Sequence, residues 1–74
     1  MAEEDTYTFI GAGIDGEPLF MDIAALRGDG AALQHGERLF EMHDSGSVIE
    51  VWRGLGLVAR LPRPSVTRDL DVRF

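Results

Sequence analysis

The sequence predicts an α+β fold in which a small antiparallel sheet carries one helix packed on a face. Two β-like segments precede a stretch with helical spacing, two more follow it, and a further alternating segment comes last. The predicted order is therefore β-β-α-β-β with a fifth, C-terminal strand. The 74 residues suffice for one small domain, with an acidic N-terminus (1–5), a core (6–61) and a proline-led extension (62–74).

The first predicted hairpin joins residues 6–12 to residues 18–25. In the first strand Tyr7 and Phe9 fall on one face, and Ile10 falls on the other with two threonines. A period of two also predicts a strand for the second segment. There one set of residues alternates with another: Leu19, Met21 and Ile23 with Phe20, Asp22 and Ala24.

Between these strands lies a literal G-x-G-x-x-G, formed by Gly11, Gly13 and Gly16. A dinucleotide site needs a helix after the third glycine, because the pyrophosphate binds at the helix N-terminus. Here a strand is predicted after Gly16, and the Asp15-Gly16 pair suits a hairpin turn. We therefore interpret the glycines as part of a turn and expect no cofactor.

Residues 30–43 are predicted to form the helix, with Asp29 as its N-cap and residues 44–47 as its end. Gly36 inside the helix costs up to about 1 kcal/mol relative to alanine, so its place on the apolar stripe predicts close approach to the sheet. The residues of this stripe recur at helical spacing: Ala32, Leu33, Gly36, Leu39 and Phe40.

Residues 47–62 predict a second hairpin, with a three-residue loop at residues 54–56. The opposite charges of Glu50 and Arg60 support this register, because they lie directly across the strand pair. The predicted pairs are Ile49–Leu61 and Val51–Ala59 on the core face, and Glu50–Arg60 and Trp52–Val58 on the other.

Residues 36–61 resemble a group of small uncharacterised bacterial proteins, in which an alanine- and leucine-rich helix leads into a hairpin of the type V-E-V-W-x-G-x-x-V-A-R-L. The resemblance implies a compact β-β-α-β-β protein and no particular activity. Residues 63–74 extend beyond the pattern. The matching positions are Ile49, Glu50, Val51, Trp52, Gly54, Val58, Ala59, Arg60 and Leu61.

The last nine residues, 66–74, alternate almost strictly and predict a strand with one apolar face. Two arrangements are open. The strand pairs with its own sheet, or it adds to the edge of a second copy or of a partner. The preceding prolines make the linker stiff and extended, which suits reaching outward as well as folding back, and we favour the second arrangement.

Side chains suited to catalysis or metal binding are sparse. His35 and His43 lie eight residues apart, the chain has no cysteine, and the spacing matches no standard metal pattern. Ser45 and Ser47 lie near His43 and Asp44, but sequence neighbours rarely adopt the geometry of a catalytic triad. We expect a protein that is not an enzyme and has no metal ion or small-molecule substrate.

The net charge of −6 argues against direct binding to nucleic acid, whose phosphates require a positive surface. The charge is uneven, because residues 1–44 hold ten acids and two arginines while residues 45–74 hold three acids and five arginines. Met1 is followed by acidic residues, and no apolar stretch approaches the roughly 20 residues that span a bilayer. These features predict a cytoplasmic protein that does not bind membranes.

The leading functional hypothesis is a non-catalytic interaction or regulatory module that forms a homodimer or docks on a larger protein. Its candidate partner-binding residues are Trp52, Val58, Leu70, Val72 and Phe74. One alternative is a small acidic inhibitor that imitates nucleic acid, of the phage anti-defence type. Its candidate phosphate surrogates are Glu3, Glu4, Asp5, Asp15, Glu17 and Asp22. Another alternative is an antitoxin-like partner of a toxic enzyme.

Overall fold

The computed structural model describes residues 3–64, which form a four-stranded antiparallel sheet with one helix packed on one face. This confirms the predicted α+β class, while the predicted strand at residues 66–74 lies outside the described residues. The sheet order is β2-β1-β3-β4, so β1 and β3 are central. The elements are β1 (Asp5–Ala12), β2 (Pro18–Leu26), α1 (Gly28–Met42), β3 (Val48–Arg53) and β4 (Gly56–Pro62).

The hydrophobic core lies between α1 and the inner face of the sheet. The alternation of β1 and β3 places their apolar residues there, and the predicted stripe of α1 covers them. Each large side chain buried in this way contributes roughly 1.5 to 3 kcal/mol, which is the main source of stability in a chain without cysteine. The buried cluster consists of Tyr7, Phe9, Ala32, Leu39, Phe40, Ile49 and Val51.

The β1–β2 connection is a tight turn, as predicted. The Gly16 amide donates to the Gly13 carbonyl at 2.9 Å, and the Gly13 amide donates to the Glu17 carbonyl at 2.9 Å. Strand β2 begins at Pro18, directly after this turn. The third glycine of the G-x-G-x-x-G therefore leads into a strand, and the helix N-terminus that a dinucleotide loop requires does not follow it.

The helix begins earlier than predicted, and Asp29 is not its N-cap. The N-cap residue is Arg27, which makes no side-chain capping hydrogen bond, and Gly28 has a φ of +88°. Glycine adopts this left-handed conformation without steric cost, so the chain turns sharply from β2 into α1. The Asp29 carboxylate instead accepts hydrogen bonds from Tyr7 and Arg53, which are partners that a local pattern cannot reveal.

The loop of the β3–β4 hairpin is shorter than predicted. Arg53 lies opposite Gly56, which leaves Gly54 and Leu55 as a two-residue loop. Gly54 has a φ of +61° and Leu55 has a negative φ. This is the pattern of a type II′ turn, which places glycine at its first central position and matches the twist of paired strands.

A β-bulge corrects the register after this shorter loop. Val58 is the extra residue, so Trp52 pairs with Leu57 and not with Val58 as predicted. Beyond the bulge, the Glu50–Arg60 pair forms as predicted. The prediction of the charge pair was right, and the prediction of the loop was wrong.

Candidate interaction surface

The helix covers only one face of the sheet, and no element within residues 3–64 covers the other, which we call the open face. On edge strand β2, Met21 is 65% exposed and Ile23 is 60% exposed; on edge strand β4, Leu57 is 47% exposed. Ile10 and Trp52 lie between them on the central strands and are half-buried. The open face therefore presents apolar side chains on all four strands.

The strand register arranges the open face in two rows that cross the sheet. Neighbours within each row are directly paired residues, so their side chains lie side by side. The first row is Ile23, Thr8, Trp52 and Leu57, and the second is Met21, Ile10, Glu50 and Arg60. Each row also contains polar residues, Thr8 in the first and Glu50 and Arg60 in the second, so apolar side chains lie on every strand of the open face without filling either row.

The two charged residues of these rows are partnered with each other. Arg60 Nε lies 3.5 Å from Glu50 Oε2, and Trp52 Nε1 donates to Glu50 Oε1 at 3.1 Å. Burial of an unpaired charge is strongly unfavourable. A partner that covers these rows would avoid this cost, because the two charges are already paired. The rows are net neutral on a chain whose net charge is −6.

Of the predicted partner-binding residues, the structure places Trp52 on the open face and Val58 elsewhere. Val58 is the bulge residue and packs against the buried cluster. Leu70, Val72 and Phe74 lie outside the described residues. Within residues 3–64, Trp52 is therefore the predicted partner-binding residue that lies on the open face.

The residues of the open face that lie on β2 were not among the predicted partner-binding residues. Both alternating sets of this strand contain large apolar residues, so its period of two does not show which set is buried. The signal was nevertheless present, since a strand that is apolar on both faces needs cover on both sides. The missed residues are Leu19, Met21 and Ile23.

The acidic residues proposed as phosphate surrogates do not lie together. The first group lies at the start of β1 and consists of Glu3, Glu4 and Asp5. The second group lies in the turn after the far end of β1 and consists of Asp15 and Glu17. An eight-residue strand separates the two groups by roughly 24 Å at about 3.4 Å per residue. The sixth, Asp22, has its Oδ2 atom 2.8 Å from His35 Nε2.

A polar cluster joins the start of α1 to β1 and β3. The Tyr7 hydroxyl donates to Asp29 Oδ1 at 2.7 Å, and Arg53 Nη1 donates to the same oxygen at 2.9 Å. The hydrogen bond to Asp29 raises the pKa of Tyr7, and burial raises it further. The hydroxyl therefore stays protonated and acts as a structural donor.

The two histidines make separate packing contacts. His35 pairs with Asp22 and lies against Phe9, with ring centroids 4.8 Å apart, whereas His43 stacks on Phe20 at 3.9 Å. Within residues 3–64, no three side chains of the types that bind metals gather at one place. In this part of the chain the histidines serve to hold α1 and the loop after it against the sheet.

Comparison of the chain with protein-family models, curated proteins and solved structures finds no match. Among residues 3–64 no helix has the length and apolar character needed to cross a membrane.

Proposed function

We propose that this protein is a non-catalytic interaction module that docks through the open face of its sheet. The observation that carries the proposal is that exposed or half-buried apolar side chains lie on all four strands of one face of the sheet. Isolated exposed apolar residues are normal on proteins, whereas contiguous ones mark interaction sites. The residues concerned are Ile10, Met21, Ile23, Trp52 and Leu57.

The opposite side of the molecule supports the same interpretation. The exposed side of α1 carries polar and charged residues, among them Gln34, Glu37, Arg38 and Glu41, as expected for a solvated helix face. Within residues 3–64, the exposed apolar side chains outside the open face, Ile14, Met42 and Leu55, lie at separate places, whereas those of the open face share one surface.

An acidic inhibitor that imitates nucleic acid is less well supported. Such a mimic needs carboxylates spaced along one surface, and here the two main groups lie at opposite ends of β1. An antitoxin-like role is one form of docking on a larger protein and would use the same open face.

Site-specific photocrosslinking tests the proposed docking surface. A photoreactive amino acid replaces Ile23 in the full chain, which is then irradiated in cells that produce it. We expect covalent adducts with a polypeptide, either a second copy or a larger protein. The matched control places the same group at Leu55, which is 99% exposed at the tip of the β3–β4 loop and outside the open face.

Adducts at position 23 in clear excess over those at position 55 support the docking surface. Equal yields at the two positions, or no polypeptide adduct at position 23, would contradict it.

A further inference from the structure

We propose that the partner on the open face is a second copy of the chain, stacked face to face about a two-fold axis. This inference rests on the proposed function and names its partner. The dimer has four layers, with the two sheets in contact and the two helices outside. Aligned packing of sheets about 10 Å apart is a common way to bury two such faces.

The distribution of charge allows a second copy on the open face and directs a basic partner elsewhere. Two chains with a net charge of −6 each repel one another where their acidic surfaces meet. The rows of the open face escape this repulsion, because Glu50 and Arg60 neutralise each other. A partner attracted by charge would be basic and would be drawn to the acidic surfaces instead.

The open face is also complementary to itself, as a two-fold contact requires. The first row has an apolar residue at each edge of the sheet, Ile23 on β2 and Leu57 on β4. An axis along the strands lays β2 of one copy over β4 of the other. Ile23 then meets the partner's Leu57, and Trp52 lies near the centre of the contact.

The available area suits a reversible dimer. Four strands about 4.8 Å apart and about seven residues long at about 3.3 Å each give about 440 Å² per copy, or about 900 Å² for the pair. Contacts of less than about 1,200 Å² are typical of weak or transient complexes. We therefore expect a dissociation constant in the micromolar range.

Sedimentation equilibrium of the full chain tests the dimer. Between about 1 μM and about 1 mM we expect the mass to rise from one chain towards two. Ile23→Arg places a charge in the apolar contact and should weaken dimerisation by at least about tenfold. Leu55→Arg makes a comparable change outside the open face and should leave the dissociation constant within about twofold of the parent.

Trp52 provides a second measurement that needs no substitution. It is the single tryptophan, and its position on the open face predicts that acrylamide quenching falls as the dimer forms. The proposal is overturned if the chain stays monomeric throughout or if Ile23→Arg and Leu55→Arg have equal effects. Unchanged quenching across a measured rise in mass would overturn it as well, even if Ile23→Arg did not fold.

The two proposals fail in different ways. A foreign polypeptide crosslinked at position 23 of a monomeric chain overturns the second copy and leaves the docking surface intact. A dimer that yields no polypeptide adduct at position 23 overturns both.

Discussion

At the scale of single residues, Gly11 shows how a missing side chain positions an aromatic ring. Gly11 pairs with Phe20 across β1 and β2, and a Cβ atom built on it would overlap the Phe20 ring. The same ring stacks on His43, so it holds the end of α1 against the sheet. A methyl group at position 11 must displace the ring and disturb this contact.

We therefore expect Gly11→Ala to lower the free energy of unfolding by about 1 to 3 kcal/mol, the usual cost of overpacking. Gly30 is the matched control, because it lies in the first turn of α1 and a Cβ there would meet no atom within 4 Å. Gly30→Ala should raise the free energy of unfolding by up to about 1 kcal/mol through helix propensity. Urea denaturation measures both, and shifts of the same sign would contradict the argument.

Tyr7 gives a prediction about pH. Because the pKa of its hydroxyl is raised above 10.0 in the folded protein, chiefly by the hydrogen bond to Asp29, folding is favoured by the protonated form. This contribution to stability is fully present below about pH 10, the unfolded pKa. It is lost as the pH rises through the folded pKa.

Asp29→Asn should lower the pKa of Tyr7 towards its ordinary value, because it replaces the carboxylate that accepts the hydroxyl's hydrogen bond with a weaker, neutral acceptor and also removes a negative charge that opposes ionisation. Tyr7 is the single tyrosine, so tyrosinate absorbance in the near ultraviolet reports its titration directly. Asp44→Asn is the control, since Asp44 lies in the exposed loop after α1. Identical Tyr7 pKa values in the two variants would refute the role of Asp29.

At the scale of elements, Arg63 joins the end of β4 to the C-terminus of α1. Its guanidinium lies over the Phe40 ring, 4.8 Å from the centroid. The last turn of α1 holds no basic residue of its own, so this distant arginine meets the negative end of the helix. The guanidinium donates to four carbonyl oxygens: Gly46 at 2.7 Å, Phe40 at 3.2 Å, His43 at 2.7 Å and Ser45 at 2.8 Å.

Arg63→Ala should lower the free energy of unfolding by about 2 to 3 kcal/mol, because it leaves several carbonyls without a charged donor. Arg63→Lys should recover little of this loss, since an ammonium group cannot reproduce the planar fork. Arg60→Ala is the matched control and should cost less than about 1 kcal/mol, because Arg60 is exposed and makes one ion pair. Both variants are measured by chemical denaturation. Equal losses in the free energy of unfolding for Arg60→Ala and Arg63→Ala would rule out the capping of the α1 C-terminus by Arg63.

At the scale of the whole molecule, overall charge and the open face have opposite effects on association. The net charge of −6 opposes the association of two copies, whereas burial of the apolar side chains of the net-neutral open face would favour the proposed dimer. Raising NaCl from about 0.05 M to about 1 M screens the repulsion. The dimer should therefore become modestly tighter in sedimentation equilibrium. If the dissociation constant instead rose several-fold with salt, the contact would be one between opposite charges. Such a contact is expected of an acidic inhibitor that binds a basic partner.

Much of the fold was predictable because its signals are local or pairwise. The inner residues of β1 and the stripe of α1 follow from periodicity, and the Glu50–Arg60 pair follows from charge. The loop was not predictable from the same signals. A three-residue loop, and a two-residue loop followed by a bulge at Val58, both place Glu50 opposite Arg60.

The sequence by itself determined that β2 is a strand with apolar residues on both faces, and that one helix follows it. Only the tertiary structure decided which face that helix covers. Tyr7 pairs with Ala24 and Phe9 pairs with Asp22, and directly paired residues share a face. Because Tyr7 and Phe9 are buried under α1, their partners on β2 face inwards and the residues between those partners face outwards. One helix cannot cover both sides of a sheet, so the apolar residues left outside form the open face.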